Sequence, residues 1–135
     1  MLVMSFDSRS LRDALGLFVT GVTIITARTD DGAQTGVTAN SFNSVSMSPP
    51  LIVWSLGRAS RSIDAFLSAP NFCVHILRED QEDLAQTFAT SGIDKFENLD
   101  IETGIGGVPM LKECAARLEC RTFSHPDGGE HIVFL

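Results

Sequence analysis

The residues best placed to do chemistry in this chain are hydrogen-bonding groups rather than proton-transfer groups. The densest polar run is Thr38-Ala39-Asn40-Ser41-Phe42-Asn43-Ser44-Val45-Ser46, which ends shortly before Pro49-Pro50. It offers hydroxyls, amides and backbone N–H groups along an extended stretch. A flavin needs such partners at its pyrimidine edge and along its ribityl chain; a polar loop closed by Asx and Ser turns has the same composition. A second cluster is Gly57-Arg58-Ala59-Ser60-Arg61-Ser62. Two Ser hydroxyls, N–H groups at a helix start and Arg58 or Arg61 would hold a phosphate; the plainer reading is a capped helix with solvated arginines. His131 follows Gly128-Gly129-Glu130 and opens the last strand, where it could stack on a ligand, bond to one or lie at the surface. His75 sits mid-strand between Val74 and Ile76 and reads as structural, and His125 beside Pro126 reads as solvated.

Other chemistries lack their residues. There is no H-x-x-x-H or C-x-x-C pair for a metal, no G-x-S-x-G elbow, no P-loop and no G-x-G-x-x-G. No metal site is therefore expected. Cys73, Cys114 and Cys120 are odd in number and widely spaced, which does not suit a disulfide framework and points to a reducing cytoplasm. The net charge of −7 excludes a nucleic-acid surface, which needs clustered Lys and Arg. No apolar run is long enough for a membrane span, and the apolar start Met1-Leu2-Val3-Met4 is followed at once by Asp7 and Arg9, unlike a signal peptide.

The elements that must position these groups follow from pattern. Leu11, Leu15 and Phe18 recur at helical spacing, predicting a short amphipathic helix over 8–18 with Asp7 or Ser8 as cap. The β-branched run 22–27 predicts a strand, Asp31-Gly32 a tight hairpin and 34–40 its return strand. The nearly continuous apolar run 51–56 predicts a strand buried on both faces. A helical turn or two follows at 61–67, then a strand at 72–77, then a helix capped by Asp80 and bearing Leu84, Ala85 and Phe88. Residues 91–111 are Gly-rich and read as irregular. Alternation over 113–123 predicts a strand, 126–129 a turn and 131–135 a further strand. Hairpins dominate, so the expected class is mainly β with short helices, an antiparallel barrel in a single domain.

These clusters also occur in a known order. Leu15-Gly16-Leu17-Phe18-Val19-Thr20-Gly21-Val22-Thr23-Ile24-Ile25-Thr26-Ala27, then Gly36-Val37-Thr38-Ala39-Asn40-Ser41-Phe42, Ser44-Val45-Ser46 and Pro49-Pro50-Leu51 resemble the flavin reductase-like domain family. Gln86-Thr87-Phe88-Ala89, Lys95-Phe96, Pro109-Met110-Leu111, Leu118-Glu119-Cys120 and Gly129-Glu130-His131 continue the series. The resemblance implies a split β-barrel that binds FMN, usually as a homodimer. It implies that Thr38, Ala39, Asn40 and Ser41 line the isoalloxazine and ribityl groups, with Ser44, Val45 and Ser46 continuing that wall. Arg58, Ala59, Ser60 and Ser62 would lie at the phosphate end, and Phe88, Lys95 and Phe96 would flank the flavin. His131 would match the His of the family's Gly-Asp-His motif near the nicotinamide, with Glu130 in place of the Asp. Family members continue past the equivalent of Leu135 with a strand that closes the barrel, so residues 1–135 are expected to form one domain lacking that strand.

The implied activity is hydride transfer from NADH or NADPH to FMN or FAD, supplying reduced flavin to a partner monooxygenase. No catalytic side chain is required, because the cofactor does the chemistry. The alternatives are another flavin oxidoreductase on the same fold, or a flavin-binding or electron-transfer module without NAD(P)H activity.

Overall fold

The computed structural model of the chain describes residues 5–135; residues 1–4, the apolar start, lie outside them. Helix α1 (Ser8–Gly16) is capped by Asp7, whose carboxylate accepts from the Arg9 N–H at 3.1 Å and from the Ser10 hydroxyl at 2.9 Å. None of its residues is buried. Strands β1 (Thr23–Arg28) and β2 (Gln34–Ala39) form an antiparallel hairpin from Thr23↔Ala39 to Arg28↔Gln34. Its connection is longer than the tight Asp31-Gly32 turn the sequence suggests. The Asp31 carboxylate accepts from the Thr29 hydroxyl and from the Ala33 N–H, which closes residues 29–33 into a loop with Gly32 at φ +88°.

Next come β3 (Asn43–Met47), β4 (Pro50–Gly57), helix α2 (Ile63–Ser68), β5 (Asn71–Ile76) and helix α3 (Glu82–Ala89). Part of the polar run read as an extended wall is thus an edge strand, bulged between Ser44 and Ser46 where it pairs with β4. Asp80 does not cap α3. Its carboxylate is taken by Arg78 Nε at 3.0 Å, and a 3₁₀ turn at Glu79–Gln81 precedes the helix, tied down by Gln81 accepting from the Arg78 N–H at 2.8 Å. Within the stretch read as irregular, β6 (Ile101–Thr103) and β7 (Pro109–Leu111) form a hairpin too short to show a period. The chain finishes with β8 (Ala116–Arg121), β9 (Asp127–Gly128) and β10 (His131–Phe134).

All ladders are antiparallel, giving sheets β2-β1-β5-β8 and β3-β4-β10-β9 with the small β6-β7 pair outside. The chain leaving β8 joins the two larger sheets: Phe123 N–H donates to Leu135 O at 2.7 Å, and Leu135 N–H to Ser124 O at 2.9 Å. Between them Trp54 stacks on Phe134 at 4.7 Å and meets Phe66 edge-on at 4.9 Å, amid Ile25, Val37, Phe72, Val74 and Ile132.

The two sheets differ in cover. Five successive residues of β1 are buried, because Phe88, Phe96 and the β6–β7 hairpin cover its outer face. On β4 only Trp54 is fully buried, contrary to the two-sided burial expected from its apolar run. Ile52, Trp54 and Leu56 pack into the core, while Leu51, Val53 and Ser55 on the other face are only partly buried. His75 is fully buried, in keeping with its structural reading. Its Nδ1–H donates to Ile24 O at 2.9 Å and its Nε2 accepts from the Leu111 N–H at 3.0 Å, so it pins β7 to the first sheet. Thr26 adds a second pin through Pro109 O at 2.6 Å.

Candidate functional site

The cleft that best collects the polar candidates lies between the first hairpin, the end of β4 and the segment after α3. It measures about 420 Å³ and is walled by Val37, Thr38, Leu56, Phe88, Ala89 and Ile93, with Ser60, Arg61, Ser62, Ser91, Gly92 and Lys95. Its wall depends on Gly36. A Cβ there would lie 2.5 Å from Phe88 Cε1, so only glycine lets the Phe88 ring approach β2 this closely. Phe96 then meets Phe88 edge-on at 5.2 Å from beneath.

The donors are arranged with capacity to spare. The Ser62 hydroxyl oxygen accepts from Thr35 Oγ1 at 2.9 Å, and Ser60 Oγ accepts from the Ser62 N–H at 3.2 Å, so both O–H groups remain available to a ligand. Thr38 donates to Ala85 O at 2.5 Å and keeps its acceptor lone pairs. Lys95 Nζ donates to Gly36 O at 2.9 Å and Phe88 O at 2.8 Å, which leaves one proton. Partial burial holds the Lys95 ammonium below its usual pKa. Arg61 makes no ion pair among the described residues. Among the described residues no carboxylate lines the cleft, although the chain carries a net charge of −7. Such a lining suits an anionic, partly apolar ligand rich in hydroxyls. Among the described residues no cluster could hold a metal ion, and no helix is long and apolar enough to cross a membrane.

Six of the residues singled out from sequence therefore meet here: Thr38, Ser60, Ser62, Phe88 and Lys95, with Arg61, offered beside Arg58 for the phosphate. Others lie beside the cleft. Ala39 ends β2, Asn40 follows it in a bend, and Ser41 is fastened to β4, donating to Ser55 O at 3.1 Å and accepting from the Ser55 N–H at 2.9 Å. Ser44, Val45 and Ser46 lie on the β3 edge, and Val45 is half exposed. Ala59 is exposed. Arg58 points away, to the β9–β10 hairpin, where Nε donates to Gly129 O at 2.8 Å and Nη2 pairs with Asp127. That hydrogen bond, a Gly129 N–H bond and the Arg58 charge hold the Asp127 carboxyl below its ordinary pKa. His131 lies across from Gly57, the residue after the cleft-lining Leu56. Ser91, Gly92 and Ile93 complete the cleft. The sequence offers Arg61 only as one of two neighbouring arginines, and the Ser91-Gly92 turn only as a loop.

Residues 15–135 match the model of the flavin reductase like domain. The chain is 43% identical over 129 residues to the FMN reductase (NADH) SmoA of Agrobacterium fabrum, covering 96% of this chain and 73% of that protein. It is 38% identical over 127 residues to the reductase component of a flavin-dependent trigonelline monooxygenase of Acinetobacter baylyi, covering 94% of this chain but 41% of that protein. The fold superposes on the NADH:FAD oxidoreductase SgcE6 of Streptomyces globisporus C-1027, solved with NAD and FAD fragments, at a TM-score of 0.88 and 36% identity over 99% of this chain and 81% of that one. The chain thus spans less than half the length of some curated relatives and about three quarters of others.

Proposed function

Because the chain belongs to the flavin reductase-like domain family, we propose that it is an NAD(P)H-dependent flavin reductase whose cleft holds the phosphorylated side of FMN, with FAD as the alternative flavin. The observation that supports this most is the cleft's donor set: two free Ser hydroxyls, Arg61 and one Lys95 proton, with no carboxylate among the described residues. Ser60, Ser62 and Arg61 take the phosphate in this reading, and Thr38 the ribityl hydroxyls. Ala39, Asn40, Ser41 and the β3 residues Ser44, Val45 and Ser46 continue the wall toward the isoalloxazine. Bound flavin supplies the hydride acceptor for a nicotinamide. The chain itself binds, orients and excludes water: Val37, Leu56 and Phe88 give the cleft its apolar side, and His131 stands at the dinucleotide side. No side chain need gain or lose a proton.

A split β-barrel and a homodimer belong to the same proposal. The bonds between residues 123–124 and Leu135 support a single barrel running through both sheets. The dimer is supported by α1 and its sequel, which leave Leu15 64%, Leu17 83% and Phe18 76% exposed, an apolar surface suited to a second copy. The activity would serve a separate monooxygenase, as the names of the relatives suggest, and three unpaired cysteines fit a reducing cytoplasm. The test is consumption of NADH or NADPH by the purified protein with added FMN. Flavin-dependent oxidation is expected. FMN binding without oxidation of either dinucleotide would leave a flavin-binding module instead.

A further inference from the structure

Arg58 belongs by sequence to the phosphate cluster, yet its bonds run elsewhere. From the end of β4 it reaches the turn of the β9–β10 hairpin with three groups at once. Its backbone N–H donates to Glu130 O at 2.9 Å, its Nε to Gly129 O at 2.8 Å, and its Nη2 pairs with the Asp127 carboxylate. Asp127 Oδ1 also accepts from the Gly129 N–H at 3.1 Å, which closes the turn on itself with Gly129 at φ +76°. Two residues on, His131 pairs with Gly57, and a Cβ on that glycine would lie 4.0 Å from His131 Nε2. The guanidinium thus fixes Asp127 and Gly129, and the backbone N–H fixes Glu130, against the end of β4, whose Leu56 lines the cleft.

We propose that Arg58, with Asp127, is a positioning residue for the dinucleotide: it holds the 127–131 hairpin so that His131 faces the nicotinamide, and it does not bind the flavin phosphate. This rests on the reductase reading above. The guanidinium suits the task because its planar fork serves a carbonyl and a carboxylate together, which a lysine ammonium does less well. The clamp is exposed, so its worth lies in geometry rather than stability, and misplacing a binding group by about an ångström is enough to weaken a complex. The backbone bond from Arg58 to Glu130 survives substitution, so the hairpin stays paired while its turn loosens.

The experiment compares wild type, Arg58→Ala, Arg58→Lys, Asp127→Asn and Arg61→Ala. It measures FMN affinity by fluorescence titration, KM for the dinucleotide with saturating FMN, and hydrogen exchange of residues 127–131 without flavin. Arg58→Ala and Asp127→Asn are expected to raise KM roughly ten-fold, leave FMN affinity within about two-fold and speed exchange at the hairpin, with Arg58→Lys intermediate. Arg61→Ala should show the opposite pattern, with weaker FMN binding and unchanged hairpin exchange. An Arg58→Ala protein with weakened FMN binding and unaltered hairpin exchange overturns the proposal and returns Arg58 to the phosphate. An unchanged KM in an active protein overturns it as well. A wild-type protein that binds FMN but oxidises neither dinucleotide overturns the reductase reading itself, a result distinct from either of these.

Discussion

His75 offers a test of how the first sheet is covered. Its imidazole is fully buried and gives both nitrogens to backbone groups, Ile24 O at 2.9 Å and the Leu111 N–H at 3.0 Å. His75→Phe keeps a planar ring, adds some volume and orphans both backbone groups. At roughly 1–3 kcal/mol for each buried group left unpaired, and roughly 3–4 °C per kcal/mol for a domain of this size, the midpoint should fall by about 6–24 °C. Acid should produce part of the same loss in the wild type. Burial first, and the Arg117 charge in addition, press the His75 pKa below 6.5, while its bond to Ile24 O opposes them. The unfolded chain therefore takes up a proton that the folded chain refuses. Stability from this site is complete above 6.5, falls by up to about 1.4 kcal/mol per pH unit below it, and levels off once the depressed folded value is passed. His75→Gln can still accept from the Leu111 N–H but cannot titrate, so its urea midpoint should lack this part of the acid slope. The assays are thermal unfolding of wild type and His75→Phe, and urea unfolding of wild type and His75→Gln on either side of the ordinary histidine value. A His75→Phe midpoint within about 2 °C of wild type, or an undiminished acid slope in His75→Gln, would refute the reasoning.

Three further outcomes follow from the cleft and the exposed helix. Arg61→Ala should weaken FMN binding about ten-fold, the loss of one charge-assisted contact, as read by flavin fluorescence titration. Gly36→Ala should cost about 1–3 kcal/mol in thermal unfolding and weaken FMN binding too, because Phe88 is 1% exposed and has no room to yield to a Cβ placed 2.5 Å from it. Leu15→Glu with Phe18→Glu should turn a dimer into a monomer in sedimentation while leaving the fold intact, since neither side chain is buried in the protomer.

Much of the scaffold is legible in the sequence because its signals are local. The β-branched residues of β1 and the Asp-Gly pair announce the first hairpin, and the alternation around Leu118 and Cys120 announces β8. Alternation also gives His75 correctly, since it sets that side chain on the face opposite Val74. The failures concern what lies beyond the strand. The run in β4 is apolar on both faces, yet whether a face is covered depends on which elements pack over it, and α3 and the β6–β7 hairpin went to the other sheet. The strands of that hairpin span three residues each, too few for a period to show.

The site shows the same division. The hydroxyls of Thr38, Ser60 and Ser62 are found from composition, because few other stretches offer so many. Arg58 and Arg61 are three residues apart and chemically identical, and only the position of the Asp127 turn decides that one leaves the cleft. Ser91 and Gly92 reach the cleft through the turn after α3, which no local pattern announces.

The most direct test of the central claim is the absorption spectrum of the FMN-loaded protein during anaerobic addition of NADH, and then of NADPH. The oxidised-flavin band should bleach with at least one dinucleotide, at a rate lowered in Arg58→Ala under subsaturating dinucleotide. A flavin spectrum that stays oxidised with both dinucleotides, in a protein that demonstrably binds FMN, would contradict that claim.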